Sequence, residues 1–129
     1  MRFFIDNCLS PKYAAILGGL DQGEVVALRD HFPQNTTDTT WIAEVGARGW
    51  VVVTVDRKQL SNAAERRAMK DAGVVAFFLA KSFSTMKFDD QVWRLVKHWP
   101  SIVAAARAAA RSSCYSVSVN GKIGKIEPG

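Results

Sequence analysis

Two apolar runs in this chain each end on an aspartate: Phe3-Phe4-Ile5-Asp6 and Trp50-Val51-Val52-Val53-Thr54-Val55-Asp56. Short runs rich in Val, Ile and Phe read as strands buried on both faces of a parallel sheet, and the residue just past such a strand lies at the sheet's carboxyl edge. Open α/β sheets bind their ligands at that edge. A third carboxylate joins the two by geometry. At about 100° per residue, Asp38 shares a helix face with Trp41, Ile42 and Val45, and that helix starts where the second strand ends. Glu44 falls about 120° off the same face and drops out. The plain structural use of Asp38 is as an N-cap in the lead-in Thr36-Thr37-Asp38-Thr39-Thr40.

Three carboxylates that converge without a basic partner repel one another unless a cation sits between them. All-oxygen ligation suits Mg²⁺ or Mn²⁺, with water and substrate phosphate filling the other positions. Such an ion lowers the pKa of bound water and clamps the leaving oxygen of a phosphodiester, so hydrolysis of a nucleic-acid backbone is the expected chemistry. Asp6, Asp38 and Asp56 are therefore the candidate catalytic and metal-binding residues. Asp30, at the end of the second strand, and Glu65, which forms a variant capping box with Asn62, are reserve candidates for a fourth acid. Asn7 beside Asp6, and Arg57 and Lys58 beside Asp56, are candidates to orient substrate and hold a neighbouring phosphate, with ordinary turn chemistry as their other use. The chain has no Gly-rich phosphate loop, no Gly-x-Ser-x-Gly elbow and no Cys/His nucleophile pair. Cys8 and Cys114 stand alone and read as reduced structural residues; His31 and His98 lack ligand spacing and read as surface or packing residues.

The elements that must position these groups are legible. Ser10 and Pro11 open a helix that Gly18-Gly19 closes; Val25 to Leu28 form a short second strand; a polar loop from Asp30 to Thr37 feeds the Trp41 helix, which stops at Gly49. After the Trp50–Val55 strand, a helix from about Asn62 to Ala72 ends at Gly73, and Val74 to Leu79 form a fourth strand. The order βαβαβαβ predicts a three-layer α/β/α architecture with a four-stranded parallel sheet, and strand order 2-1-3-4 places Asp6 and Asp56 across a switch point. Beyond it, Phe88, Val92, Leu95, Val96 and Trp99 have helical spacing, Pro100 breaks or restarts the helix, and Ala104 to Ala110 continues it with Arg107 and Arg111 on one face. Tyr115–Val119 and Lys122–Ile126 flank Asn120-Gly121, a two-residue hairpin turn; a lone hairpin is marginal, so it must dock on the body or on a partner. The tryptophans read as core.

At 129 residues and 48% hydrophobic content the chain reads as one domain over residues 1–129, with a core at 1–80 and a C-terminal helical and hairpin extension at 81–129. Met1-Arg2 leads directly into the first strand and no long apolar run is present, so a soluble, cytoplasmic protein is expected. Residues 1–64 hold 6 Lys/Arg against 7 Asp/Glu, and residues 65–129 hold 11 against 5. An acidic half joined to a basic half suits a polyanion held by one part of the surface and acted on by the other.

The set Phe4-Ile5-Asp6-Asn7-Cys8-Leu9-Ser10-Pro11, then Asp30-His31-Phe32-Pro33 with Asp38 and Trp41, then Gly49 to Arg57, resembles the PIN-like domain family over residues 3 to about 80. The branch it resembles comprises small PIN-like proteins related to VapC-type toxins of toxin–antitoxin modules. The resemblance implies a PIN-like (Rossmann-like) fold, Mg²⁺-dependent RNA cleavage with Asp6, Asp38 and Asp56 as the metal-binding acids, and a cognate antitoxin that blocks the site. A second copy of the chain is a further candidate partner. Where many relatives carry a further acid three residues after the strand-three aspartate, this chain has Gln59. That departure, with the extra hairpin, motivates an alternative: a catalytically weak or inactive PIN-like domain that binds protein or RNA. A phosphoacceptor receiver is the third reading; Asn7 after Asp6, and the expected lack of a fifth parallel strand with its lysine, argue against it.

Overall fold

The computed structural model describes residues 1–6, 12–20, 22–33, 35–55 and 62–126. Its strands are β1 (Arg2–Ile5), β2 (Glu24–Ala27), β3 (Val51–Thr54), β4 (Val75–Leu79), β5 (Cys114–Val117) and β6 (Ile123–Ile126). Its helices are α1 (Lys12–Gly18), the single turn α2 (Leu28–His31), α3 (Asp38–Ala47), α4 (Ala63–Ala72) and α5 (Phe88–Ala108), with a 3₁₀ segment at Lys81–Thr85. The strands form one sheet in the order β2-β1-β3-β4-β5-β6. The first five run parallel and β6 is antiparallel to β5. The expected order 2-1-3-4 is present, but the expected four strands are one side of a six-stranded sheet, extended beyond β4 by β5 and β6. None of the helices among the described residues is long and apolar enough to cross a membrane.

Alternation along the strands divides the core into two layers. Phe3, Ile5, Val51, Val53, Phe77 and Leu79 pack with Tyr13 and Leu17 of α1 and with Leu95, Trp99, Ile102 and Val103 of α5. Phe4, Val52, Ala76 and Phe78 face the other way, onto Trp41, Ile42 and Val45 of α3 and Met69 of α4. Both layers are dry: Phe3, Phe4, Val53, Phe77 and Phe78 are each 0% exposed. This is the two-sided burial that the apolar runs demand. Thr37 caps α3, its hydroxyl accepting from the Thr40 amide at 3.4 Å. Asn62 caps α4 by accepting from the amides of Ala64 and Glu65, at 3.0 and 3.1 Å. Gly73 ends α4 at φ 77°, the left-handed conformation a C-terminal glycine supplies.

The C-terminal region differs most from expectation. Pro100 neither breaks nor restarts the helix: α5 runs 21 residues with Pro100 inside it. An interior proline costs about 3 kcal/mol. Leu95, Trp99, Ile102 and Val103, all at most 2% exposed, flank it, and each such burial contributes roughly 1.5–3 kcal/mol. The packing outweighs the defect. Because α5 stops at Ala108, Arg111 does not share a helix face with Arg107; its guanidinium donates to Ala72 O at 3.1 Å instead. The hairpin docks on the body as expected, by adding β5 to β4 with Leu79 level with Val117. Its connection is a three-residue loop rather than a two-residue turn: Ser118 pairs with Lys122, the Gly121 amide donates to Ser118 O at 2.9 Å, and Gly121 takes φ 83°. So a fifth parallel strand does exist, and the residue after it is Ser118, not the lysine a receiver domain needs.

Tyr13, wholly buried, donates its hydroxyl to Gln91 Oε1, and burial pushes its pKa up from 10.0 to about 12. The folded state therefore holds this proton more tightly than the unfolded chain, so the stabilisation is complete below pH 10 and is lost as pH rises towards 12. Urea titrations across that window should show falling stability, with a shallower fall in Tyr13→Phe. Gly46 of α3 lies where a Cβ would run into the carbonyl oxygen and Cβ of Ala72, so α3 and α4 meet through a glycine. Alanine gains about 1 kcal/mol of helix propensity, but overpacking against backbone costs about 1–3 kcal/mol. Gly46→Ala should lower the melting temperature by about 5 °C, while Gly18→Ala, with open space around it, should not.

Candidate functional site

Asp6 is the first residue past β1, and its amide donates to Val53 O at 3.1 Å, which extends the β1–β3 pairing by one step. Two residues after Phe4, its side chain leaves the sheet on the α3 side. Thr54, 0% exposed, lies two residues after Val52 and so faces the same way. Its hydroxyl donates to Asp6 Oδ2 at 2.9 Å. Asp38 approaches from above. Thr37 takes the capping role, which leaves Asp38 in the first turn of α3, where the Trp41 indole N–H donates to Asp38 Oδ1 at 3.0 Å.

Asp6 and Asp38 line one cavity of about 160 Å³, walled by Leu28, Phe32, Pro33, Thr36 and Trp41. It sits at the carboxyl edge, beside the switch point between β1 and β3. The two acids the spacing brought together are together here. The Thr54 hydroxyl and the Trp41 indole are neutral donors that orient the two carboxylates. Two oxygen ligands in a cavity with room for a few waters fit a hard divalent cation such as Mg²⁺ or Mn²⁺. Among the described residues no three acids, histidines or cysteines are grouped to hold a metal. The expected third ligand, Asp56, lies outside the described residues, as do Asn7, Arg57, Lys58, Gln59 and Cys8.

The reserve acids stand apart from the cavity. Asp30 does not end β2, which stops at Ala27; it is an exposed residue of α2. The α2 turn takes Leu28 from the end of the expected strand and Asp30 and His31 from the expected loop, and it is what turns Leu28 and Phe32 into the cavity wall. Glu65 sits in the first turn of α4, its amide bound by Asn62, and does not line the cavity. Glu44 pairs with Arg48 at 3.1 Å, away from the site. His31 packs edge-on against Phe4 and Trp50, as a packing residue should. Cys114 is a free, half-buried thiol whose burial pushes its pKa up. Trp41 and Trp99 are core, but Trp93 is 57% exposed.

The donor roles of Thr54 and Trp41 are not among the sequence expectations. Thr54 is the polar residue in an otherwise apolar strand, and Asp38 and Trp41 stand three apart, the spacing at which helix side chains meet. Both signals are in the chain.

A family model described as a PIN-like domain matches residues 1–81, which contain β1 to β4 and both cavity acids. No curated protein and no solved structure matches the chain significantly.

Thr54→Val keeps the shape of the side chain and deletes the buried hydroxyl. It should cost about 1–3 kcal/mol in urea denaturation, the usual loss for a hydrogen bond to a charged group, with Thr54→Ser losing clearly less. Equal stability of Thr54→Val and wild type would mean that the hydroxyl does not hold Asp6.

Proposed function

We propose, from the premise that the chain belongs to the PIN-like domain family, that it is a metal-dependent endoribonuclease that hydrolyses RNA phosphodiester bonds. PIN-like domains are generally nucleases. The observation that carries the reading for this chain is the meeting of Asp6 and Asp38 in one cavity at the carboxyl edge. Asp6, Asp38 and Asp56 would hold Mg²⁺ or Mn²⁺. When bound, such an ion lowers the pKa of a coordinated water and offsets charge on a phosphodiester. The chain's own residues supply the rest. Thr54 and Trp41 keep the two carboxylates aimed before substrate arrives, and Leu28, Phe32 and Pro33 shield one side of the cavity from solvent. Preorganised groups of this kind cost no reorganisation during the reaction. Asn7, Arg57 and Lys58 would contact substrate beside the acids, and the basic second half would hold the RNA backbone.

In the finer form of the proposal the chain is the toxin of a toxin–antitoxin module, with a cognate antitoxin protein covering the acidic cavity. The resemblance to VapC-type relatives supports this form. A binding module without activity is the rival, favoured by the absence of a fourth acid at Gln59.

The test is cleavage of unstructured and transfer RNAs with Mg²⁺, Mn²⁺ or EDTA. Wild type should cut only with metal, and Asp6→Asn, Asp38→Asn and Asp56→Asn should each lower the rate at least about a hundredfold. Trp41→Phe, which removes the donor to Asp38 and leaves a smaller ring in the core, should lower it about ten- to a hundredfold. Cleavage in EDTA, or undiminished cleavage by Asp6→Asn, contradicts the proposal. Intact RNA throughout, with no Mn²⁺ uptake, favours the binding module.

A further inference from the structure

Trp93 is the most exposed large hydrophobic side chain among the described residues, at 57%. It projects from the solvent side of α5, outside the residues 1–81 that the family model covers. Two cations lie against its ring: the Lys97 ammonium 5.0 Å and the Arg94 guanidinium 5.6 Å from the centroid. Among the described residues neither cation has a carboxylate partner. Trp50 makes the contrast. Arg2 and Arg48 approach its ring at 4.7 and 4.9 Å, but each is bound to an acid, Glu24 and Glu44. The cations at Trp50 are neutralised locally; those at Trp93 are available to an anionic ligand.

We infer that Trp93, with Arg94 and Lys97, is a stacking platform for single-stranded RNA. The inference rests on the ribonuclease reading for its choice of ligand. A flat, exposed indole beside unpaired cations is the pairing that single-stranded nucleic acid uses, base on ring and phosphate on cation. The position suits a substrate that must also reach the acids. Arg94 Nη1 donates to Val119 O at 3.0 Å, in the loop directly beyond the end of β5, and Lys122 closes that same loop. Because β5 is parallel to β1, this loop and Asp6 share the carboxyl edge of the sheet. Three strand spacings separate β1 from β5, roughly 15 Å along the edge, and because α5 packs on the face opposite α3 the RNA would bend over that edge to reach Asp6. Asp89 and Asp90 sit one turn before Trp93 and oppose the field of the cations. Stacking therefore supplies more of the affinity here than charge does.

The test is polarisation of a labelled single-stranded RNA of about 12 nucleotides, in EDTA so that nothing is cut. Trp93→Ala removes an exposed ring and should leave the melting temperature unchanged. Its affinity should fall roughly five- to a hundredfold, the loss expected for one stacked base, while Trp93→Phe should keep most of it. Lys97→Gln should weaken binding and flatten its salt dependence by about one charge. Affinity of Trp93→Ala within twofold of wild type overturns the platform, as does a wild type that binds no RNA. The cleavage assay separates the two claims. Lost affinity in Trp93→Ala with no cleavage by any protein keeps the platform and overturns the nuclease; unchanged affinity with metal-dependent cleavage does the reverse.

Discussion

The structure depends on the parallel pairing of β1 with β3 and on the parity that pairing imposes. Phe4 and Val52 are level with each other and buried against α3. A strand's side chains alternate, so Asp6 and Thr54, each two residues further on, must leave the sheet on that same face. A slip of one residue would turn Phe4 and Val52 outward and send both polar groups into the opposite layer, where Tyr13, Trp99 and Leu95 leave no room for them. Burying Phe4 alone contributes roughly 1.5–3 kcal/mol. The hydrophobic register thus aims the acid, and the Thr54 hydroxyl holds it.

The second acid depends on how α3 is seated. Gly46 lets α3 approach α4 until helix touches helix at Ala72, while Trp41, Ile42 and Val45 lie on the sheet. With the far end of α3 fixed, its first turn hangs over the carboxyl edge. Trp41 then has two roles: its ring fills the core, 3% exposed, and its N–H reaches back to Asp38. A single residue therefore couples packing to the position of a carboxylate. The C-terminal extension adds a fifth parallel strand and a basic, aromatic helix to a core that carries the acids.

Much of this architecture is legible in the sequence because the signals are local and strong. The runs at Phe3–Ile5, Val51–Val55 and Val74–Leu79 are short and rich in β-branched and aromatic residues, which marks them as buried strands, and Asn62 with Gly73 marks both ends of α4. The rigid helical period puts Asp38 on the face of α3 that carries Trp41. The features that escape depend on distant partners. Cys114–Val117 carries a weak pattern beside an Asn-Gly, so it reads as half of a local hairpin; only the free edge of β4 makes it a fifth parallel strand. Pro100 signals a break, and the four buried side chains around it decide otherwise. Trp93 reads as core by residue type, yet its place on the outer side of α5 leaves it in solvent. Asp56 and its neighbours Arg57 and Lys58 lie outside the described residues, so the expectation for them stands on sequence.

A cation shared by Asp6 and Asp38, as proposed, would lie beside the Trp41 indole, which could then report on it. In a spectrum of the indole N–H groups the four tryptophans, Trp41, Trp50, Trp93 and Trp99, contribute one signal each, and substoichiometric Mn²⁺ broadens whichever lies nearest the bound ion. The Trp41 signal should disappear first, and Asp6→Asn should prevent its loss. A Trp41 signal that survives while the others broaden, or uniform broadening unaffected by Asp6→Asn, would contradict it.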